Sequence, residues 1–131
     1  MLFASTIIGI IPSQEVYVAP EAPKIAYTES SREEWVKQRI QYFASKYGVP
    51  FVVMDNVVRC ESQYNPNAIN STPKEYSVGL VQINLKAHTD ITEDQAKDPD
   101  FALEFLAKHI KDRPSMWSCY RSLFPDGHST S

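Results

Sequence analysis

The sequence predicts a mainly α-helical domain, α+β at most, with one small irregular or hairpin lobe. Three observations predict it. Apolar residues recur at helical spacing in several segments, each opened by a capping residue. A single stretch, residues 63–78, is instead dense in turn formers. The 131 residues suffice for one domain around one core.

The first helix is expected from Ser31. Ser31-Arg32-Glu33-Glu34 has the form of a capping box. Val36, Ile40, Phe43, Ala44 and Tyr47 form an amphipathic stripe, and Gly48 provides the stop. Pro50 opens a second helix, whose body from Phe51 to about Cys60 is apolar on most sides and is expected to be buried. Asn65-Pro66-Asn67 and Asn70-Ser71-Thr72-Pro73 then break the pattern. Leu80-Val81-Gln82-Ile83-Asn84 fits a strand or a helix. Thr92-Glu93-Asp94-Gln95 is a second capping box, and Asp98-Pro99 caps a helix carrying Phe101, Ala102, Phe105, Leu106, His109 and Ile110 on its core face. Pro114 opens a last helix with Met116, Trp117 and Cys119. The expected division is residues 1–30 as an apolar segment and Pro-containing linker, 31–124 as the domain, and 125–131 as a frayed polar tail.

Charge and composition exclude several functions. A net charge of −3 gives no electrostatic attraction for nucleic acid or an anionic membrane. The apolar run at residues 2–11 is shorter than the roughly 20 residues that a bilayer span needs. Its length is that of a signal-peptide core, but no basic segment precedes it and no small-residue cleavage pattern follows. It reads as a degenerate or truncated export segment, or as a segment packed on the domain. His88, His109 and His128 have no metal-ligand spacing, so neither a metal nor a cofactor is expected. Cys60 and Cys119 lack the C-x-x-C arrangement, which leaves one disulfide or two free thiols.

Glu61 is the leading candidate for chemistry. It lies where an apolar helix ends in a polar loop. Partial desolvation and the negative end of the helix dipole both disfavour its charge, which suits a general acid. The competing reading is a helix-end glutamate in water. Gln82 and Asn84 form a second cluster behind Gly79. Their amides offer both donors and acceptors, as sugar hydroxyl and N-acetyl groups require.

Glu61-Ser62, Asn65-Pro66-Asn67-Ala68 and Gly79-Leu80-Val81-Gln82 together resemble the E-S…N-P-x-A…G-L-M-Q signature of soluble lytic transglycosylases and goose-type lysozyme-like proteins. The resemblance runs from about residue 50 to 120 and rests on separate motifs in the correct order. Ser77-Val78-Gly79-Leu80-Val81-Gln82-Ile83-Asn84 is also similar to the D-Y-G-x-x-Q-I-N segment of chicken-type lysozymes.

The resemblance implies a lysozyme-like fold, peptidoglycan glycan strands as the partner, and Glu61 as the catalytic acid. It implies substrate-binding roles for Ser77, Gln82 and Asn84. Cys119 resembles a late-helix position that bonds the cysteine before the catalytic Glu, so a Cys60–Cys119 disulfide is implied, and with it an oxidising, exported location. Glycosidases generally use two carboxylates. Ser77 stands where the second belongs, with Glu75 nearby as a candidate second carboxylate. A lone Glu favours lytic transglycosylation, which ends in a 1,6-anhydro ring and activates no water. The alternatives are a hydrolytic muramidase and a non-catalytic cell-wall-binding module. The family's late A-Y-N-A-G-like motif is absent. Met116-Trp117-Ser118-Cys119-Tyr120-Arg121 stands there instead, with Tyr120 as the candidate for the role of the motif's Tyr. A monomer is expected.

Overall fold

The computed structural model describes residues 28–126. The expected apolar segment and most of the expected linker, together with residues 127–131 of the tail, lie outside the described residues. Among the described residues, five α-helices and a three-stranded antiparallel sheet follow in the order α1 (Glu29–Tyr47), α2 (Phe51–Ser62), β1 (Ile69–Thr72), β2 (Glu75–Val78), β3 (Ile83–Asn84), α3 (Glu93–Lys97), α4 (Pro99–His109) and α5 (Ser118–Leu123). The fold is thus mainly α with a hairpin lobe, as the sequence predicts.

The start of α1 corrects the sequence reading. Thr28, not Ser31, is the N-cap, and its side chain accepts from the Ser31 N–H at 3.3 Å. Ser31 lies inside the first turn, where its hydroxyl donates to the Thr28 carbonyl. Both are good capping residues, and no breaker separates them. The earlier cap prevails because it adds helical hydrogen bonds. Val36, Ile40, Phe43 and Ala44 are buried as expected, and Gly48 ends the helix in the left-handed conformation at φ 65°.

The second helix is less enclosed than expected. Val53, Met54, Val57 and Val58 are buried, while Val52 is 51% exposed. The apolar residues fall in two groups, 51–54 and 57–58, split by Asp55-Asn56, and at 3.6 residues per turn their buried members make one stripe, with Asn56 and Arg59 turned away from the core. The buried stripe packs between α1 and α5.

Gln63 and Tyr64 then adopt left-handed φ angles of 52° and 61°. Consecutive left-handed residues other than glycine carry strain of about 1–3 kcal/mol each. Burial of the Tyr64 ring and a 2.9 Å hydrogen bond from its hydroxyl to Asp55 oppose that strain. The helix α2 thus ends at Ser62, one residue after Glu61.

The hairpin turns on Pro73-Lys74, with Thr72 opposite Glu75 and Ser71 opposite Tyr76. β3 pairs with β2 so that Ser77 faces Asn84 and Val78 faces Ile83. Of the ambiguous segment 80–84, only Ile83 and Asn84 are strand.

The Thr92–Gln95 capping box is complete, and Asp98 caps α4 as read. The buried face of α4 includes Leu103 and Ala107 beside Ala102, Leu106 and Ile110, whereas Phe101, Phe105 and His109 are only half-buried. Pro114 opens a short 3-10 segment, Pro114–Met116, and not the last helix itself. α5 begins after Trp117, whose extended backbone separates the two.

Candidate active site

The site is assembled where the end of α2, the sheet and the start of α5 meet. A cavity of about 360 Å³ opens there. Glu61, Glu75, Ser77, Gln82 and Asn84 line it. The remaining walls come from Ile83, Ala87, His88, Phe105, Met116, Trp117, Ser118 and Arg121. Five of the six residues expected to take part in chemistry or substrate binding are therefore brought together. The sixth, Tyr120, is 8% exposed, packs its ring on Phe124 at 4.8 Å, and is not part of the lining. On α5 the residue one position later, Arg121, turns toward the cavity in its place.

Glu61 owes its position to both of its sequence neighbours and to α5. Cys60 forms a disulfide with Cys119, across 59 residues of sequence. The Cys119 N–H donates to Glu61 Oε1 at 3.1 Å. Ser62 is buried and returns its hydroxyl to the Val58 carbonyl. The acid's proton affinity follows from its surroundings. Burial, first of all, pushes the Glu61 carboxyl above the ordinary carboxylate range; the Cys119 N–H opposes this, the charge of Glu75 adds to it, and Arg121 opposes it. Desolvation dominates, as expected at the end of a packed helix.

The sheet supplies the opposite wall. Glu75 and Ser77 are two residues apart on β2 and share a face. Asn84 is the cross-strand partner of Ser77, which brings it to the same face. Ser77 is fully buried, and its hydroxyl donates to a Glu75 carboxylate oxygen.

The two amides are differently committed. Gln82 Nε2 donates to the carbonyls of Ala68, at 3.1 Å, and Gly79, at 3.0 Å. Both of its N–H groups are taken, so the amide oxygen is what Gln82 has to offer. Asn84 is the reverse. Its Oδ1 accepts from the backbone N–H groups of Tyr76 and Lys86, which leaves its NH2 as donor. Gln82 also lies at φ 52° in the turn before β3, so it and Asn84 do not lie on one strand face, as they would if the whole segment were strand.

Gly79 is required where it stands. It has φ +90°, and a Cβ there would approach the Ala96 carbonyl oxygen to 1.9 Å. This close approach seats the sheet lobe on α3. Trp117 closes the arrangement from the other side, its indole N–H donating to the Val81 carbonyl at 2.9 Å.

His88, Phe105, Met116 and Arg121 were not legible as site residues. Phe105 packs edge-on to His88 at 5.2 Å and also meets His109 and Trp117. A helical stripe marks Phe105 only as core, and no local signal distinguishes His88 or Arg121.

A partly desolvated carboxyl of raised proton affinity, facing a polar cleft with amide donors and acceptors, has the composition of a carbohydrate-cleaving acid site. The family model for the transglycosylase SLT domain matches residues 38–123, and the chain belongs to that family. The family cleaves glycosidic bonds in peptidoglycan, a substrate outside the cytoplasm. No curated protein and no solved structure shows significant similarity to the chain. No helix among the described residues is long and apolar enough to cross a membrane.

Proposed function

We propose that the protein is a peptidoglycan lytic transglycosylase that cleaves the β-1,4 bond between N-acetylmuramic acid and N-acetylglucosamine with Glu61 as its one acid and base. The observation that carries this reading is Glu61 itself, a carboxyl pushed up by burial and lining a polar cavity. Glu61 donates its proton to the glycosidic oxygen as the bond from the anomeric carbon breaks. The substrate's N-acetyl group supports the positive charge on that carbon. The ionised Glu61 then takes the proton of the muramic C6 hydroxyl, whose oxygen bonds the anomeric carbon and closes the 1,6-anhydro ring. Atoms balance without water, and the acid regains its proton. Gln82 as acceptor and Asn84 as donor orient sugar amide and hydroxyl groups. The enzyme acts as an exported monomer on glycan strands, a location that the Cys60–Cys119 disulfide favours.

A second reading is hydrolysis with Glu75 as base, favoured by the place of Glu75 in the same cavity. Digestion of purified peptidoglycan followed by mass spectrometry separates the two. Anhydro-muramic ends are expected from the wild type and are expected to vanish in Glu61→Gln. Reducing ends alone would replace transglycosylation by hydrolysis. Equal, negligible product from wild type and variant, with both still binding glycan, would leave a wall-binding module.

A further inference from the structure

The two carboxylates of the cavity are held in different ways, and the difference assigns them different work. Glu61 stands on a helix end and is held by a backbone N–H. Glu75 stands on β2 and is held by the hydroxyl of Ser77. Ser77 is fully buried, and its one hydroxyl hydrogen is committed to Glu75. A serine so placed has no proton to donate to a sugar. Its place on the pleat, two residues from Glu75 and opposite Asn84, directs the Glu75 oxygen toward the cavity face of the sheet.

We propose that Glu75 acts as a fixed negative charge opposite Glu61, and that Ser77 is the residue that positions it. Glu75 takes no proton and forms no bond. Its charge favours the positive charge that develops at the anomeric carbon as the glycosidic bond breaks. It also discourages early loss of the Glu61 proton, the direction in which it acts on that carboxyl. The other groups that bear on Glu61 are the Cys119 N–H and Arg121 from the α5 side, both of which favour its ionised form. His88, from the chain after β3, lines the same cavity. Among the described residues, Glu75 is thus the one charged group acting on Glu61 with the sign that keeps an acid protonated. The proposal rests on the single-acid reading above and specifies what its sheet wall contributes.

The test is the pH profile of kcat/KM together with product analysis. A general acid loses activity as pH rises through its own titration, so the basic limb reports Glu61. In Glu75→Gln that limb is expected at lower pH, with kcat reduced about tenfold, KM little changed and anhydro products retained. Glu75→Asp keeps the charge and is expected to keep the limb near its wild-type position, which guards against a general disturbance of β2. Ser77→Ala is expected to lower kcat in the wild-type background and to add nothing in the Glu75→Gln background, since a positioning residue has no work once its charge is gone. An unmoved basic limb in Glu75→Gln, or an equal cost of Ser77→Ala in both backgrounds, would overturn the assignment. Reducing ends from the wild type and no product from Glu75→Gln would make Glu75 the hydrolytic base. That outcome overturns the single-acid reading itself and is distinguished from the others by the product.

Discussion

The backbone N–H of Cys119 donates to Oε1 of Glu61 at 3.1 Å, and the disulfide joins that donor to the residue immediately before the acceptor. The bridge and the hydrogen bond are two connections between the same pair of helix ends. One fixes the distance between α2 and α5, and the other uses it to orient a carboxylate.

Removal of the bridge is therefore expected to affect both stability and rate. For a loop of 59 residues, the chain-entropy model gives about 4 kcal/mol. The Cys60→Ser, Cys119→Ser double variant, and the reduced wild type, are expected to lose about that much in chemical denaturation. At temperatures where they stay folded, kcat should fall about tenfold, because the Glu61 carboxylate is no longer held in one orientation. An unchanged kcat in the folded, reduced protein would confine the disulfide to a stabilising role.

Glu61 should cost the fold stability near neutral pH. Its proton affinity is raised, chiefly by burial, so between the ordinary carboxylate range and its folded value the folded chain retains a proton that the unfolded chain has already released. Stability is then fully present below the ordinary carboxylate range and is lost as pH rises through the folded value. Glu61→Gln removes that loss, and its amide oxygen can still accept from Cys119. Thermal denaturation should find the variant more stable than wild type near neutral pH and equal to it in acid. A variant no more stable at neutral pH would mean that the buried carboxylate carries no such penalty.

Gly79→Ala should be among the most damaging small substitutions. The new Cβ would meet the Ala96 carbonyl oxygen at 1.9 Å, at a φ of +90° that side chains disfavour. The atoms it would meet are backbone, so relief requires moving the sheet lobe away from α3. A loss of about 2–4 kcal/mol is expected in urea denaturation. A loss below about 0.5 kcal/mol, the range of ordinary surface changes, would show that the contact yields freely.

Gln82 should couple stability to activity. Its two N–H groups join the Ala68 and Gly79 carbonyls, which hold the base of the hairpin to the turn before β3. Gln82→Ala is expected to lower stability by about 1–3 kcal/mol and activity with it. Gln82→Glu keeps the acceptor and loses the two donors, so it should also lose stability. Wild-type melting in both variants, with reduced activity, would make Gln82 a ligand and nothing more.

Local chemistry made much of this protein readable. The 92–95 capping box, the Asp98 cap before Pro99 and the stop at Gly48 depend on neighbours a few residues apart, and the structure has all three. Thr28 against Ser31 was a contest between two adequate caps, decided by the extra helical hydrogen bonds of the earlier start and not by capping chemistry. The apolar-rich stretch of α2 looked apolar on most sides because sequence order hides angular position. The motifs singled out Glu61, Ser77, Gln82 and Asn84 together, and the structure brings all four to one cavity. Tertiary structure alone decided what each of them does with its polar atoms. It committed the Ser77 proton to Glu75, the Gln82 nitrogen to two carbonyls and the Asn84 oxygen to two backbone donors. It also turned Arg121 into the cavity and Tyr120 out of it. Hydrogen-bond commitment depends on partners supplied by other segments, and which face of a short helix meets a cavity depends on how that helix packs. Neither quantity is a property of the residues' own neighbourhood in sequence.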